Sequence, residues 1–293
     1  MVYIKMTTLL ASLLLFCLAA GTLYAQNPGR AEWMAGRYGM MTHWFVYPDL
    51  ALPDASQEER TRWFNEQVDR FDTKTLMKQF DESGADWLIF TLAQGNGYFN
   101  SANAFLDKEF PGHTPERDLG MEIAKEVKKR GKRFILYLAG QVNGCDKMCS
   151  GIEEVFCWKT GEDNSENTAF ENRICALFEA YSRKYGRLCD GWWIDGVYGN
   201  HHKGKWHFDK WFAAFRAGNP QSAVALSDAG FCKGILTNLC PGNDYFAGET
   251  HLIEHGYIRI DPLVGAAEDY GDGKRFYREN GKVRAQGRRP EYF

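Results

Sequence analysis

The sequence predicts an α/β fold, a (β/α)8 TIM-like barrel whose last units are incomplete or degenerate. Three observations point there. Several short apolar runs, 85–92, 133–138, 192–194 and 223–227, show no alternation of polar and apolar residues. Unbroken runs of that kind suit parallel strands buried on both faces. Stretches with apolar residues at helical spacing separate these runs, and strands alternating with helices mark crossover connections in a parallel sheet. Finally, Gly191-Trp192-Trp193-Ile194-Asp195-Gly196 is an apolar run that ends in a carboxylate, followed by a glycine. Barrels build active sites by delivering single residues to the C-terminal ends of their strands.

In chain order, residues 1–25 read as an export leader. Lys5 supplies its basic start, Leu9 to Ala20 its apolar stretch, and Ala25 a small residue at the cleavage point. The apolar stretch is too short for a membrane span. Residues 26–293 are then one barrel domain, secreted or released into the periplasm. Gly39 to Phe45 is the first strand, with His43 and Trp44 at its end. Pro48 to Glu59 is a loop. Trp63 to Phe71 and Thr73 to Ser83 have helical spacing, the second with Asp72 or Thr73 as N-cap and Gly84 as C-cap. Ala85 to Leu92 is the second strand and opens into Gln94-Gly95-Asn96-Gly97-Tyr98. Arg117 to Arg130 is a helix with Leu119, Ile123 and Val127 on one face, stopped by Gly131. Arg133 to Leu138 is the third strand, and 140–166 a long loop. Asn167 to Tyr185 is a helix closed by Gly186. The fourth strand leads to Asp195. Trp206 to Arg216 is helical, Ala223 to Ser227 is the fifth strand and Asp244 to Glu249 the sixth. Tyr257 to Ile260 is a short strand, and 270–293 carries no pattern.

Composition narrows the function. The 293 residues, 44% hydrophobic and 25% charged, suffice for one sizeable core. A net charge of −3 gives no basic surface for nucleic acid or an anionic membrane. The 9 Trp, 14 Tyr and 20 Phe supply flat faces that stack on the C–H surfaces of sugars. Of the 8 cysteines, Cys17 lies in the leader. Cys145, Cys149, Cys157, Cys175, Cys189, Cys232 and Cys240 remain, and an oxidising compartment predicts disulfides among them, with local bridges in 145–157 and 232–240. Cys145-x3-Cys149 has no second pair at ligand spacing. His201, His202 and His207 lack the spacing of a helical metal pair in a Gly/Lys-rich stretch. No metal or other cofactor is expected, and no P-loop, GxGxxG, GxSxG or HExxH pattern occurs.

The residues at strand ends suggest glycoside hydrolysis. Retention of configuration needs two carboxyls about 5–5.5 Å apart, one nucleophile and one acid/base. Asp195 and Glu249 each end a predicted strand, so a barrel points both to one face. Asp228, Asp244 and Glu254 are rivals for the second role, and Asp195 read without a partner is a turn cap. His43 and Trp44 face the same opening. Gln94, Asn96 and Tyr98 either hydrogen-bond sugar hydroxyls or shape a glycine turn. Tyr137 and Trp193 complete the predicted sugar-binding set. The expected partner is an oligosaccharide or glycoconjugate substrate.

Four stretches resemble glycoside hydrolase family 29, the retaining α-L-fucosidases. Arg37-Tyr-Gly-Met-Met-Thr-His43-Trp44 is similar to the family's opening R-F-G-x-F-x-H-W-G. Ser83 to Thr91 resembles its A-G-A-K-Y strand. Arg117-Asp118 followed by Gly131 to Tyr137 resembles its R-D helix and G-x-K/R-F-G-x-Y strand. Leu177 to Gly196 resembles its Q-L-x-E-L…W-x-D-G segment, whose Asp is the nucleophile; that position is Asp195. Asp244 to Glu249 is similar to D-Y/F-x-x-P-E, whose Glu is the acid/base in part of the family. The resemblance runs over about residues 32–250 and implies a barrel with Asp195 and Glu249 as the catalytic pair. It also departs from the family. K-H-H-D-G-F reads Ala93-Gln94-Gly95-Asn96-Gly97-Tyr98 here, so both fucose-contacting histidines are replaced. Ala229 lies near the place of an expected Arg, and the C-terminal β-sandwich has no counterpart. Each well-placed hydrogen bond contributes about 0.5–1.5 kcal/mol, so the replacements weaken fucose recognition. Two readings follow: a retaining exo-glycosidase, or an inactive barrel that binds glycans.

Overall fold

The computed structural model describes residues 29–142, 149–159, 162, 164, 166–197, 207–227, 242–245 and 247, and the backbone of four short strands at 236–237, 260–261, 275–279 and 282–286. The leader at 1–25, Glu249, Asp228, Glu254, His201, His202, Cys145, Cys232 and Cys240 lie outside the described residues.

Five parallel strands form the central sheet in unbroken sequence order: β1 (Gly39–Thr42), β2 (Trp87–Ala93), β3 (Arg133–Ala139), β4 (Gly191–Asp195) and β5 (Ala223–Leu226). Their register runs Met41 beside Ile89, Ile89 beside Ile135, Tyr137 beside Trp193 and Trp193 beside Ala225. The helices follow in order as α1 (Pro48–Ala51), α2 (Gln57–Arg70), α3 (Thr73–Ser83), α4 (Ala104–Glu109), α5 (Leu119–Lys129), α6 (Ile152–Phe156), α7 (Thr168–Tyr185) and α8 (Phe208–Arg216). Two further strand pairs lie outside this sheet: β6 (Leu236–Thr237) runs parallel with β7 (Ile260–Asp261), and β8 (Arg275–Glu279) antiparallel with β9 (Lys282–Gln286).

Helix ends fall where side chains meet the unpaired backbone N–H groups. Asp72 accepts from the Thr75 N–H at 3.0 Å, Asp118 from Met121 at 3.1 Å, and Asn167 from Phe170 at 3.1 Å. Helix α2 starts six residues before the apolar spacing expected at Trp63. Ser56 and Glu59 form a reciprocal capping box, and the first turn is exposed, so it carries no apolar signal. Short helices α1, α4 and α6 occupy stretches read as loops; each is too brief to show a period.

The two sheet faces differ. Alternate strand residues Leu88, Phe90, Leu92, Phe134, Leu136, Leu138, Trp192, Ile194, Val224 and Leu226 join one core with residues of α2, α3, α5, α7 and α8. The opposite face carries Ile89, Ile135 and Tyr137, packed with Met41, Trp87, Trp193 and, from the 3-10 turn Glu32–Met34, Trp33 and Met34. Both halves of the strand residues are apolar, which is why the runs lack alternation. Trp192 and Trp193 face opposite ways: Trp192 is buried in the helix-side core, and Trp193 is half-buried on the other face.

Beyond β5, the predicted sixth strand does not form at its described residues: Asp244, Tyr245 and Ala247 are outside any strand. They cover the edge of β5 instead. Asp244 Oδ2 accepts from the Val224 N–H at 2.9 Å and from Arg216 at 2.6 Å, and Asn243 Oδ1 accepts from the Leu226 N–H at 3.0 Å. Asp244 is thereby committed to holding backbone, which removes it as a rival acid.

The described cysteines, Cys149, Cys157, Cys175 and Cys189, are free thiols, so the expected bridge at Cys157 is absent. Cys149 and Cys189 are buried and fill space as small apolar groups, and burial pushes the Cys175 thiol up to about 12.

His113 is 2% exposed, stacked on Phe110 with ring centroids 3.5 Å apart. Its Nδ1 donates to the Gly97 carbonyl at 3.0 Å. Burial lowers its pKa to about 4. Since the folded value lies below the ordinary one, near 6.5, stability is intact above pH 6.5 and is lost as pH falls toward 4. The expected loss is about 3 kcal/mol. Urea midpoints against pH should fall more steeply for the native chain than for His113→Phe, whose ring cannot protonate.

Candidate active site

The C-terminal end of β4 delivers Asp195 to the face that carries Tyr137 and Trp193. The carboxylate is 9% exposed and both oxygens are held: Oδ2 accepts from the Tyr137 hydroxyl at 2.5 Å, and Oδ1 from the Gly196 N–H at 2.7 Å. Tyr137 lies two residues before Ala139, the β3 residue paired with Asp195. It therefore shares the face of Asp195, and its ring spans the step along the strand.

His43 packs edge-on against Tyr137 with centroids 4.5 Å apart. The β2 residue between them is Thr91, which pairs with Tyr137 and turns its short side chain to the Thr42 carbonyl at 3.1 Å. The imidazole thus reaches across β2. It is exposed, with Nδ1 2.9 Å from Gln94 Oε1 and Nε2 3.0 Å from Met41 Sδ. With the amide oxygen as acceptor, Nδ1 carries the proton.

The structure thus groups Asp195, Tyr137, His43, Gln94 and Trp193 on one face. Trp44, Asn96 and Tyr98 are placed elsewhere. Trp44 packs on Phe71 in the helix-side core with centroids 5.1 Å apart. Neighbouring residues in extended chain point to opposite faces, so His43 and Trp44 cannot share an opening. Asn96 is fully buried: its amide donates to the Val46 carbonyl at 2.8 Å and its oxygen accepts from the Gln94 N–H at 3.2 Å. It is the turn-shaping residue of the pair of readings. Tyr98 is fully buried beside Phe64, its hydroxyl accepting from Gln57 at 3.2 Å. Glu249 lies outside the described residues.

Sequence reasoning missed Met41 and Gln141. Met41 shares a face with His43 by alternation, a signal the sequence did contain. Gln141 lies under Gly196, where a Cβ would come 2.8 Å from its Cγ. Gly196 has φ +73°, a left-handed conformation that penalises any side chain by about 1–2 kcal/mol. Gly196→Ala should therefore tilt the N–H that holds Asp195 and lower turnover of a cleaved glycoside about tenfold, read as kcat.

Residues 22–250 match the family model described as Alpha-L-fucosidase. No curated protein matches. Among solved structures, the chain is similar to endo-fucoidan hydrolase P5AFcnA from glycoside hydrolase family 107 (18% identity, 67% of this chain and 52% of that one, TM-score 0.48). It is also similar to alpha-L-fucosidase AlfC from Lactobacillus casei in complex with alpha-L-fucose (19%, 67% and 69%, TM-score 0.46). A bacterial fucosidase with an iminocyclitol inhibitor is a third (14%, 68% and 48%, TM-score 0.45). The chain spans about half or less of the length of the endo-fucoidan hydrolases it matches.

Proposed function

The chain belongs to the alpha-L-fucosidase family, glycoside hydrolase family 29, and from that membership we propose that it is a secreted retaining glycosidase acting on α-L-fucosides or a closely related glycan. Asp195 is its nucleophile. The observation that carries this reading is the carboxylate at the end of β4, held by two donors on the face that also carries Tyr137 and Trp193. A fixed carboxylate oxygen can attack the anomeric carbon, form a glycosyl ester and release the leaving group, which takes a proton from an acid. Glu249 is that acid, and returns as base when water cleaves the ester.

The sheet order supports closure into a barrel over residues 26–293. Strands in unbroken order with helices α2 to α8 of the described residues packed on one face suit singly wound units. The Trp33–Met34 turn then plugs the N-terminal end of the interior, and Asp195 sits at the opposite rim.

The test is hydrolysis of 4-nitrophenyl α-L-fucoside by the purified chain and by its Asp195→Asn variant. Turnover that survives the substitution overturns the assignment. The second reading, a glycan-binding protein without catalysis, draws on Asn96, whose amide at the replaced histidine stretch is spent on Val46. Fucoside binding with no hydrolysis by concentrated protein would establish it.

A further inference from the structure

In the segment that leaves β1, alternate side chains fall into two sets. Trp44 and Val46 pack into the helix-side core. The alternate residues His43, Phe45 and Tyr47 form an edge-to-face row: His43 to Phe45 at 6.3 Å and 74°, Phe45 to Tyr47 at 5.4 Å and 90°. Through His43 the row joins Tyr137, and through Tyr137 it joins Asp195. Phe45 and Tyr47 are half-buried and absent from both core clusters, and Leu50, just beyond on α1, is 61% exposed. An aromatic strip thus runs from the carboxylate to solvent.

The polar groups beside that carboxylate are largely engaged with one another. His43 holds Gln94 and Met41, and Tyr137 holds Asp195.

We infer that Phe45 and Tyr47 form a leaving-group subsite, in which the group attached to the cleaved sugar lies against the aromatic row leading out from His43. The inference rests on the glycosidase reading above and extends it: the occupant is a planar or apolar-faced leaving group, an aromatic aglycone or the C–H face of a second sugar ring.

The experiment measures binding to the full chain carrying Asp195→Asn, so that hydrolysis plays no part. The probes are methyl α-L-fucoside, which has almost no leaving group to stack, and 4-nitrophenyl α-L-fucoside, which has a flat one. The aryl fucoside should bind about tenfold more tightly. Adding Phe45→Ala, or Tyr47→Ala, should bring the ratio of the two affinities close to one. Phe45→Leu, which keeps apolar bulk and removes the ring, should do the same, with thermal melts confirming the fold. Equal affinities in the parent protein, or a ratio that persists in these variants, overturn the subsite and leave the glycosidase reading standing. No binding of either fucoside removes the fucoside reading and the subsite with it.

Discussion

Asp195→Asn should lower kcat on 4-nitrophenyl α-L-fucoside at least about 1,000-fold while the chain keeps its fold. The amide has nearly the shape of the carboxylate, so β4 and the turn at Gly196 have no reason to move. What is lost is the anionic oxygen that, as proposed, forms the glycosyl ester. Asp195→Gly with added azide makes the argument specific. Azide enters the vacated space and attacks the anomeric carbon once, as the leaving group departs with the proton of the acid. A single displacement inverts the centre, so the product is a glycosyl azide of opposite configuration to the substrate. An Asn variant within tenfold of the native rate, or no azide product from a Gly variant that binds substrate, would remove Asp195 as nucleophile.

Much of the scaffold was legible because each part has a local cause. Apolar runs such as Leu88–Leu92 and Phe134–Leu138 read as strands since both their faces are buried. The caps at Asp72 and Gly84 read correctly since capping depends on a few adjacent residues. Asp195 was legible for the same reason: one apolar run, one carboxylate, one glycine. Illegible were the parts decided by alternation off the sheet and by distant partners. Trp44 looked like a companion of His43 because the two are adjacent, yet adjacency in extended chain puts them on opposite sides. Tyr98 looked like a sugar contact because it follows a glycine loop. It turns inward onto Phe64, Gln57 and His113, which no nearby residue announces. Asp244, read as the start of a strand, is held by Arg216 and by β5 backbone, partners that only the fold brings together.

The replaced histidine stretch has a structural consequence that helps decide between catalysis and binding alone. Asn96 ties the loop after β2 to the segment after β1, through Val46. Gln94 in turn fixes His43 from the same loop. The loop therefore braces the end of β1 rather than offering two imidazoles. Two donors on Asp195 come from outside that loop, the Tyr137 hydroxyl of β3 and the Gly196 N–H. Sugar recognition can change while the Asp195 carboxylate stays held, and this is why the two functions must be measured separately.

Tyr137→Phe isolates the part played by that holding. The ring remains, so the packing against His43 and beside Ile89 and Ile135 is kept. Only the hydroxyl that donates to Asp195 Oδ2 is removed. A hydrogen bond to a charged group contributes about 1.5–3 kcal/mol, and if it is spent on orienting the nucleophile, kcat should fall roughly 10- to 150-fold. The Michaelis constant should change less than about threefold, because the Tyr137 ring is buried and its packing is the same. A fall in kcat with steady KM identifies Tyr137 as a positioning residue. If KM rises instead and kcat holds, the hydroxyl contacts substrate, and the carboxylate is oriented by the Gly196 N–H without it.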